Sequence, residues 1–425
     1  MRKKILCLVC AVSCVLTGCI QNNMLQQDID PENYYLQEIA HLHIEEALQN
    51  LTESESGSDP ESASQTEQET IRAVWIPVML YETWMYNQSE TQFRENVRKA
   101  FQNCTDLGLN TIYLHVRAYC DAYYNSEIFP AGAYLNQNYD PLAIMLEEAH
   151  AVNLSVHAWI NPLRSQTVQK MATLEDQYIL KQWYDDPEKN GTYLVNSEGR
   201  YYLNPAYPEV RQLIADGITE ILENYDVDGI HIDDYFYPTT DPAFDQKAFS
   251  ESNAQDLAEW RRTNCSELVK LLYQTVKNHN PAIPFSISPQ GNFTINYDQL
   301  YADVKLWCST EGYCDCIIPQ LYYGFQNETC PFKEMVSQWT EIATATDLVI
   351  GLAAYKIGTQ DQWAGSGKLE FLTDSTVIAK ELEYLSEFET IQGAALYSYS
   401  SLFEPEQAVS ALVADEKNRI SDIWD

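Results

Sequence analysis

Asp228-Gly229-Ile230-His231-Ile232-Asp233-Asp234-Tyr235-Phe236-Tyr237-Pro238 is the stretch on which the fold turns. It reads as a short buried strand that stops abruptly in two adjacent carboxylates, an aromatic patch and a proline. Successive strand side chains point to opposite faces, so His231 and Asp233 share one face while Ile230 and Ile232 share the other. An acid at the carboxyl end of a barrel strand stands where that architecture keeps its chemistry.

Outward from this stretch, strand-like and helix-like segments alternate eight times after Ile71. Strands are expected over residues 72–79, 110–119, 154–163, 229–236, 284–289, 314–323, 348–355 and 392–399. Between them apolar residues recur at helical spacing, as in Phe93, Val97, Ala100, Phe101 and Cys104, or Val210, Leu213, Ile214, Ile218, Ile221 and Leu222. Strands alternating with helices pair in parallel, and eight such units predict an α/β fold closed into a (β/α)8 TIM barrel over residues 71–425. An open doubly wound sheet is the alternative. It calls for a glycine-rich phosphate turn after the first strand, and residues 77–84 contain no glycine. The connections over residues 164–204 and 238–256 are long, as expected of loops that shape a cleft at the C-terminal face of the strands.

The strand ends supply the candidate residues. The second brings His115, Arg117, Tyr119 and Asp121, and the third His157, Trp159 and Asn161. The fourth brings His231, Asp233, Asp234 and Tyr235, and the fifth Ser288, Gln290 and Asn292. The last three bring Gln320 and Tyr322, Tyr355 and Lys356, and Tyr397 and Tyr399. Flat rings beside carboxylates, amides and a guanidinium suit a sugar: rings stack on its apolar faces and polar groups sort its hydroxyls. The chain holds 29 Tyr and 9 Trp, and the strand ends take a large share of them together with polar neighbours. Barrel cores rich in aromatics explain some of these rings but not the clustering of polar partners at the same positions.

Cleaving a glycosidic bond takes two carboxyl groups, one to protonate the leaving oxygen and one to act as nucleophile or base. Asp233 is the candidate nucleophile or stabilising carboxylate. Asp234 points away from it if the strand stays regular, and becomes a second catalytic carboxylate only if the strand ends there. No acid follows the fifth strand, where many sugar-cleaving barrels keep one. Asp121, Glu82, Glu127 and Glu311 are the alternatives, with Asp121 preferred because Arg117 lies just before it. Arg117, His115, His157, Trp159, Asn161, His231, Tyr235, Gln320, Tyr322 and Tyr397 are expected to bind substrate. Three histidines on three consecutive strands raise the question of a metal. A metal-dependent barrel hydrolase usually carries His-x-His on its first strand, and residues 72–79 contain no histidine, so no metal or cofactor is expected.

The N-terminus gives an address. Arg2, Lys3 and Lys4 precede an apolar run, and Leu16-Thr17-Gly18-Cys19 matches a bacterial lipobox. The run is too short to span a bilayer, so residues 1–18 read as a lipoprotein signal with Cys19 as the lipidated residue. Residues 19–70, acidic and polar without a lysine or arginine from Cys19 to Ile71, read as a flexible tether. The chain is thus expected on the extracytoplasmic side of a bacterial membrane, held only through its lipid. Its 26 basic against 62 acidic residues, a net charge of −36, argue against nucleic acid or a polyanion as the main partner. Seven cysteines remain beyond Cys19, an odd number that makes a poor disulfide framework and favours buried thiols.

Six ordered motifs carry a resemblance. They are Val74-Trp75-Ile76, the Arg117…Asp121…Tyr124-x-Ser126 spacing, Val156-His157-Ala158-Trp159-Ile160-Asn161-Pro162, Tyr202-Leu203-Asn204-Pro205, Asp228 to Pro238, and Pro319-Gln320-Leu321-Tyr322-Tyr323. Together they resemble the glycosyl hydrolase-like 10 family of bacterial surface lipoproteins, over residues 71–413. The resemblance implies a barrel similar to the α-amylase superfamily, whose nucleophile follows Gly-x-x-x-Asp at the fourth strand; Gly229 to Asp233 fits that spacing. Departures are His231, where the amylases have arginine, and the absent fifth-strand glutamate. The resemblance also implies action on peptidoglycan glycan strands stripped of their peptides. The function expected is therefore a lipid-anchored glycosidase of a cell-wall glycan. The competing classes are a glycan-binding lipoprotein without turnover and a metal-dependent hydrolase or deacetylase.

Overall fold

The computed structural model describes residues 70–136 and 138–424. The signal sequence, Cys19 and all but the last residue of the tether lie outside the described residues. The eight expected strands are present and close into a barrel. In chain order they are β1 (Ile71–Ile76), β2 (Thr111–Arg117), β3 (Ser155–Ile160), β7 (Gly229–Ile232), β8 (Phe285–Ile287), β9 (Cys316–Ile317), β10 (Asp347–Leu352) and β11 (Ile391–Leu396). Every neighbouring pair is parallel, and β1 joins β11 to complete the ring. Helices α1 (Glu90–Asp106), α2 (Pro141–His150), α3 (Pro208–Asn224), α4 (Leu257–His279), α5 (Val304–Ser309), α6 (Phe332–Ile342), α7 (Val377–Leu385) and α8 (Ser410–Trp424) follow the strands in turn.

Alternation along the strands divides the apolar residues between two cores. Ile112, Leu114 and Val116 of β2, Ile230 and Ile232 of β7, and Ile350 and Leu352 of β10 face outward under the helices. Trp75, Tyr113, Trp159, Cys316, Val349 and Ala395 fill the barrel. Helix starts follow their caps: the Ser89 hydroxyl accepts from Gln92 N at 3.2 Å, and Asp140 precedes Pro141 and accepts from Ala143 N.

Most observed strands stop earlier than their sequence patterns predict. β7 ends at Ile232 rather than at residue 236, and β9 is only Cys316–Ile317. The polar and aromatic residues that follow leave the ladder to line the space above it, so the overrun marks where the cleft begins. The long connection after β3 also holds elements the pattern did not reveal. Here β4 (Arg164–Thr167), β5 (Leu194–Ser197) and β6 (Arg200–Leu203) form a small antiparallel sheet in the order β4-β6-β5. The loop after β7 is tied to α4 by Arg261, whose guanidinium grips Asp245 at 2.9 and 2.6 Å and meets Tyr301 Oη at 3.1 Å, all fully buried.

Candidate active site

A cleft of about 390 Å3 opens above the C-terminal ends of the strands. Asp233 and Asp234 both line it. Because β7 has ended at Ile232, alternation no longer separates the two aspartates, and the turn closed by Phe236 N donating to Asp234 O (2.9 Å) presents both. They lean to different neighbours. Asp233 Oδ2 accepts from the Trp159 indole N–H at 2.9 Å, and its Oδ1 from Tyr235 N at 3.3 Å. Asp234 Oδ1 accepts from Gln320 Nε2 at 3.0 Å, and its Oδ2 from Gln290 Nε2.

Burial raises the pKa of both carboxyls. Asp233, nearly inaccessible, is pushed well above the usual carboxylate range by desolvation and by the charge of Asp234. Asp234 is raised less, because the two glutamine amides stabilise its charged form. Two such carboxyls titrate as a unit.

Around them, Trp159, His115 and Asn161 line one side of the cleft, and Gln320, Tyr322 and Tyr397 another. The His115 ring stacks on Trp159 at 3.7 Å between centroids and 11° between planes. Burial lowers its pKa to about 3, so it is neutral. Tyr322, Tyr355 and Tyr397 meet one another at 5.7–6.0 Å and form an aromatic wall. Tyr235 stands at the rim, where Arg164 lies over its ring at 4.5 Å.

Four of the residues expected in the site are elsewhere. Arg117 would face the cleft if β2 were regular, but the register with β3 slips between His115 and Arg117. The slip turns Arg117 outward, where it is buried beneath α3, reaches Ile214 O at 3.5 Å and lies over Phe129 at 4.5 Å. Gly217 of α3 makes room for it, since a Cβ there would stand 2.0 Å from Arg117 Nη1. Asp121 is buried and accepts from Ala118 N (3.1 Å) and Tyr119 N (2.9 Å), which makes it the brace of that turn rather than a cleft residue. His157 and His231 lie inside the barrel below the cleft floor. His231 Nε2 accepts from Trp75 Nε1 at 3.1 Å while Nδ1 meets Ser286 Oγ at 2.8 Å, which fixes a neutral ring protonated on Nδ1. His157, its pKa lowered by burial to about 4, packs over Gly229, where a Cβ would meet the ring at 2.5 Å. The glycine of Gly-x-x-x-Asp is thus required by the neighbouring strand. Among the described residues no three His, Cys, Asp or Glu side chains converge on a point where a metal ion would sit.

Gln290 and Arg164 belong to the cleft although the expected substrate contacts did not include them. A signal for Gln290 was present: Ser288-Pro289-Gln290 and Ile318-Pro319-Gln320 repeat a Pro-Gln step at the ends of adjacent strands, and both amides reach Asp234. Arg164 follows Asn161-Pro162-Leu163, and its place depends on the small sheet, which no periodicity announced.

Against known proteins, residues 70–365 match the family model for glycosyl hydrolase-like 10. The glycosyl hydrolase YngK of Bacillus subtilis (strain 168) is 30% identical over 377 residues, covering 81% of this chain and 71% of its own. The glycosyl hydrolase DigH of Escherichia coli (strain K12) is 28% identical over 401 residues, covering 84% of this chain and 90% of its own. Among solved structures, an α-amylase from Geobacillus thermoleovorans superposes with a TM-score of 0.51 at 12% identity, over 85% of this chain and 79% of its own. That likeness concerns the barrel alone.

Proposed function

The chain belongs to the glycosyl hydrolase-like 10 family and is a glycoside hydrolase, and on that footing we propose that it is a lipid-anchored enzyme that cleaves a cell-wall glycan by the Asp233–Asp234 pair. The single observation that carries the assignment of chemistry is the placement of two adjacent carboxyls in one cleft on unequal donors, an indole and a backbone N–H for Asp233 and two side-chain amides for Asp234. Asp233, desolvated and beside a charge, is pushed towards its protonated form and is suited to protonate the leaving glycosidic oxygen. Asp234, held by two amide donors, keeps its charge and is suited to stabilise the oxocarbenium-like transition state or to receive the sugar as nucleophile or base. This exchanges the roles that the Gly-x-x-x-Asp spacing suggests: Asp233 becomes the acid.

The tyrosine wall and Trp159 supply flat apolar faces for sugar rings, while Asn161 and Gln320 supply amides for hydroxyls. His157 and His231 hold the floor beneath and need not touch substrate. The lipobox around Cys19 supports an extracytoplasmic address, anchored through lipid alone, and that address makes the cell-wall glycan the accessible substrate.

Incubating the purified protein with peptide-stripped glycan strands, chitin oligosaccharides and glucans, and following new reducing ends, tests this reading. Release that survives chelation and disappears in Asp233→Asn is expected. Absence of release from every glycan returns the chain to a glycan-binding role, and loss on chelation points to a metal-dependent hydrolase.

A further inference from the structure

Arg164 lines the rim of the cleft, and Arg200 stands behind it on the ring of Tyr119, neither of them ion-paired to a carboxylate among the described residues. Arg164 and Arg200 open β4 and β6 of the small sheet and both lie over the Tyr119 ring, at 4.9 and 4.3 Å from its centroid. Arg164 also covers Tyr235 and lines the cleft. Several other cations on this acidic chain find carboxylates: Arg94 and Arg98 share Glu148, Arg261 grips Asp245, and Lys380 meets Asp374. Neither Arg164 nor Arg200 has a carboxylate within ion-pair distance among the described residues. The buried Arg164 Nε has no hydrogen-bond partner, and the bond seen for the Arg200 guanidinium is from Nη1 to Ser165 O at 2.5 Å. Burial and the neighbouring Arg164 also pull Arg200 below the ordinary guanidinium range. Two like charges brought together on aromatic faces, in a protein with 62 acids to choose from, lack the anion that would make the arrangement favourable.

We propose that Arg164 and Arg200, gathered around Tyr119 at the rim of the cleft, form a subsite for a carboxylate carried by the substrate sugar. The inference rests on the glycosidase reading and deepens it: the sugar recognised is an acid, either a lactyl ether such as muramic acid bears once its peptide is removed, or a uronate. A guanidinium fork matches a carboxylate in two parallel hydrogen bonds, and the same group converted to an amide loses both the charge and the pairing. The net charge of −36 repels a polyanion at long range. The arginine pair reverses that field locally, within a Debye length of about 8 Å at physiological salt.

A different role for Arg164 is to serve Asp233 and Asp234 as a distant counter-charge, since it acts on both carboxyls. Arg200 is not among the main charges acting on them, so it separates the two roles. The test compares kcat/KM on glycan strands with free lactyl carboxylates and on the same strands after carbodiimide coupling to methylamine. The wild type should prefer the free acid by about tenfold or more, the effect of one charge-assisted hydrogen bond. Arg200→Gln should bring that ratio towards one, mainly through KM, and Arg200→Lys should restore part of it. Raising the salt should erode the preference in the wild type. Equal cleavage of free and amidated strands overturns the inference while leaving the glycosidase reading intact, and this comparison needs no variant to fold. If no strand is cleaved, calorimetric binding of Asp233→Asn to a muramic-acid tetrasaccharide and to its amide decides the matter. Discrimination in favour of the acid sustains the subsite, and indifference removes it. Hyaluronan and polygalacturonate oligomers, run alongside, tell a uronate from a lactyl acid as the source of the carboxylate.

Discussion

Two groups of buried carboxyls lie in this molecule, and burial raises the pKa in both. One is Asp233 with Asp234 at the end of β7. The other lies between α7 and α8, where Glu381 and Glu416 are fully buried and Glu370 is near them. In the first group every carboxyl oxygen receives a hydrogen bond, and both residues open to a cleft. In the second, both Glu381 oxygens lack a partner, as does Oε2 of Glu416, while Glu416 Oε1 accepts from Ala379 N at 2.8 Å. A raised pKa therefore reports desolvation in each place. What distinguishes a reactive pair is access for a ligand together with donors that divide the proton between two oxygen-bearing groups. Glu381 and Glu416 are shut away from solvent, with a backbone N–H on one oxygen of Glu416 and no donor on either oxygen of Glu381, and their effect should fall on stability alone.

The sharpest way to break this contrast is to neutralise one member of each group. Asp233→Asn keeps the shape and removes the acid, and should lower kcat on glycan strands by about a thousandfold or more. Asp234→Asn should cost about a hundredfold or more, since the charge opposite the leaving group is lost while the donor remains. Neither change should lower the melting temperature, because each replaces a buried ionisable group by a neutral one. A comparable loss of activity in Glu416→Gln, with the fold intact, would remove the distinction drawn between the two clusters.

The glutamate cluster should show itself in the pH dependence of stability. Burial pushes Glu416 up to about 7 from an ordinary 4.5. A carboxyl raised in the folded state binds its proton more tightly there than in the unfolded chain. Its stabilising contribution is complete below pH 4.5 and declines as pH rises through 7. The loss amounts to about 3 kcal/mol at 1.4 kcal/mol for each unit. Denaturant titrations from pH 5 to 8 should show this decline, and Glu416→Gln should flatten it. Replacing Glu381, whose oxygens have no partner, by methionine should stabilise the protein by about 1–3 kcal/mol at neutral pH, readable in the same titrations.

Much of the barrel was legible because its cause is periodic. The alternation of Ile230 and Ile232 with His231 announces a strand covered on both faces, and the recurrence of such strands between helical stripes announces closure. The aspartate pair was legible for the same reason, since a strand that ends in acids must deliver them somewhere. What escaped depends on departures from the period. One slipped residue in β2 turns Arg117 from the cleft to the underside of α3. The early end of β7 brings Asp234 beside Asp233 instead of behind it. Asp121 lost its place through local chemistry: a carboxylate just after a strand end can satisfy the backbone of its own turn, and here it does. Arg164 and Arg200 come from a short sheet whose strands of four residues are too brief to show a pattern.

The smallest predicted effect sharpens the comparison most, because it leaves both carboxyls in place. Trp159 donates its indole N–H to Asp233 and presents its ring to the cleft and to His115. Trp159→Phe keeps an aromatic face and removes the donor. That donor favours the charged form of Asp233, so its removal raises the pKa further. The alkaline limb of the rate profile reports loss of the proton that the pair shares. In Trp159→Phe this limb should move to higher pH, while kcat/KM at the optimum falls by about tenfold because the acid is less well oriented. If Asp233 instead worked as the charged nucleophile, the same substitution would shift the acidic limb and leave the alkaline limb unmoved. The direction of one limb thus decides which aspartate carries the proton.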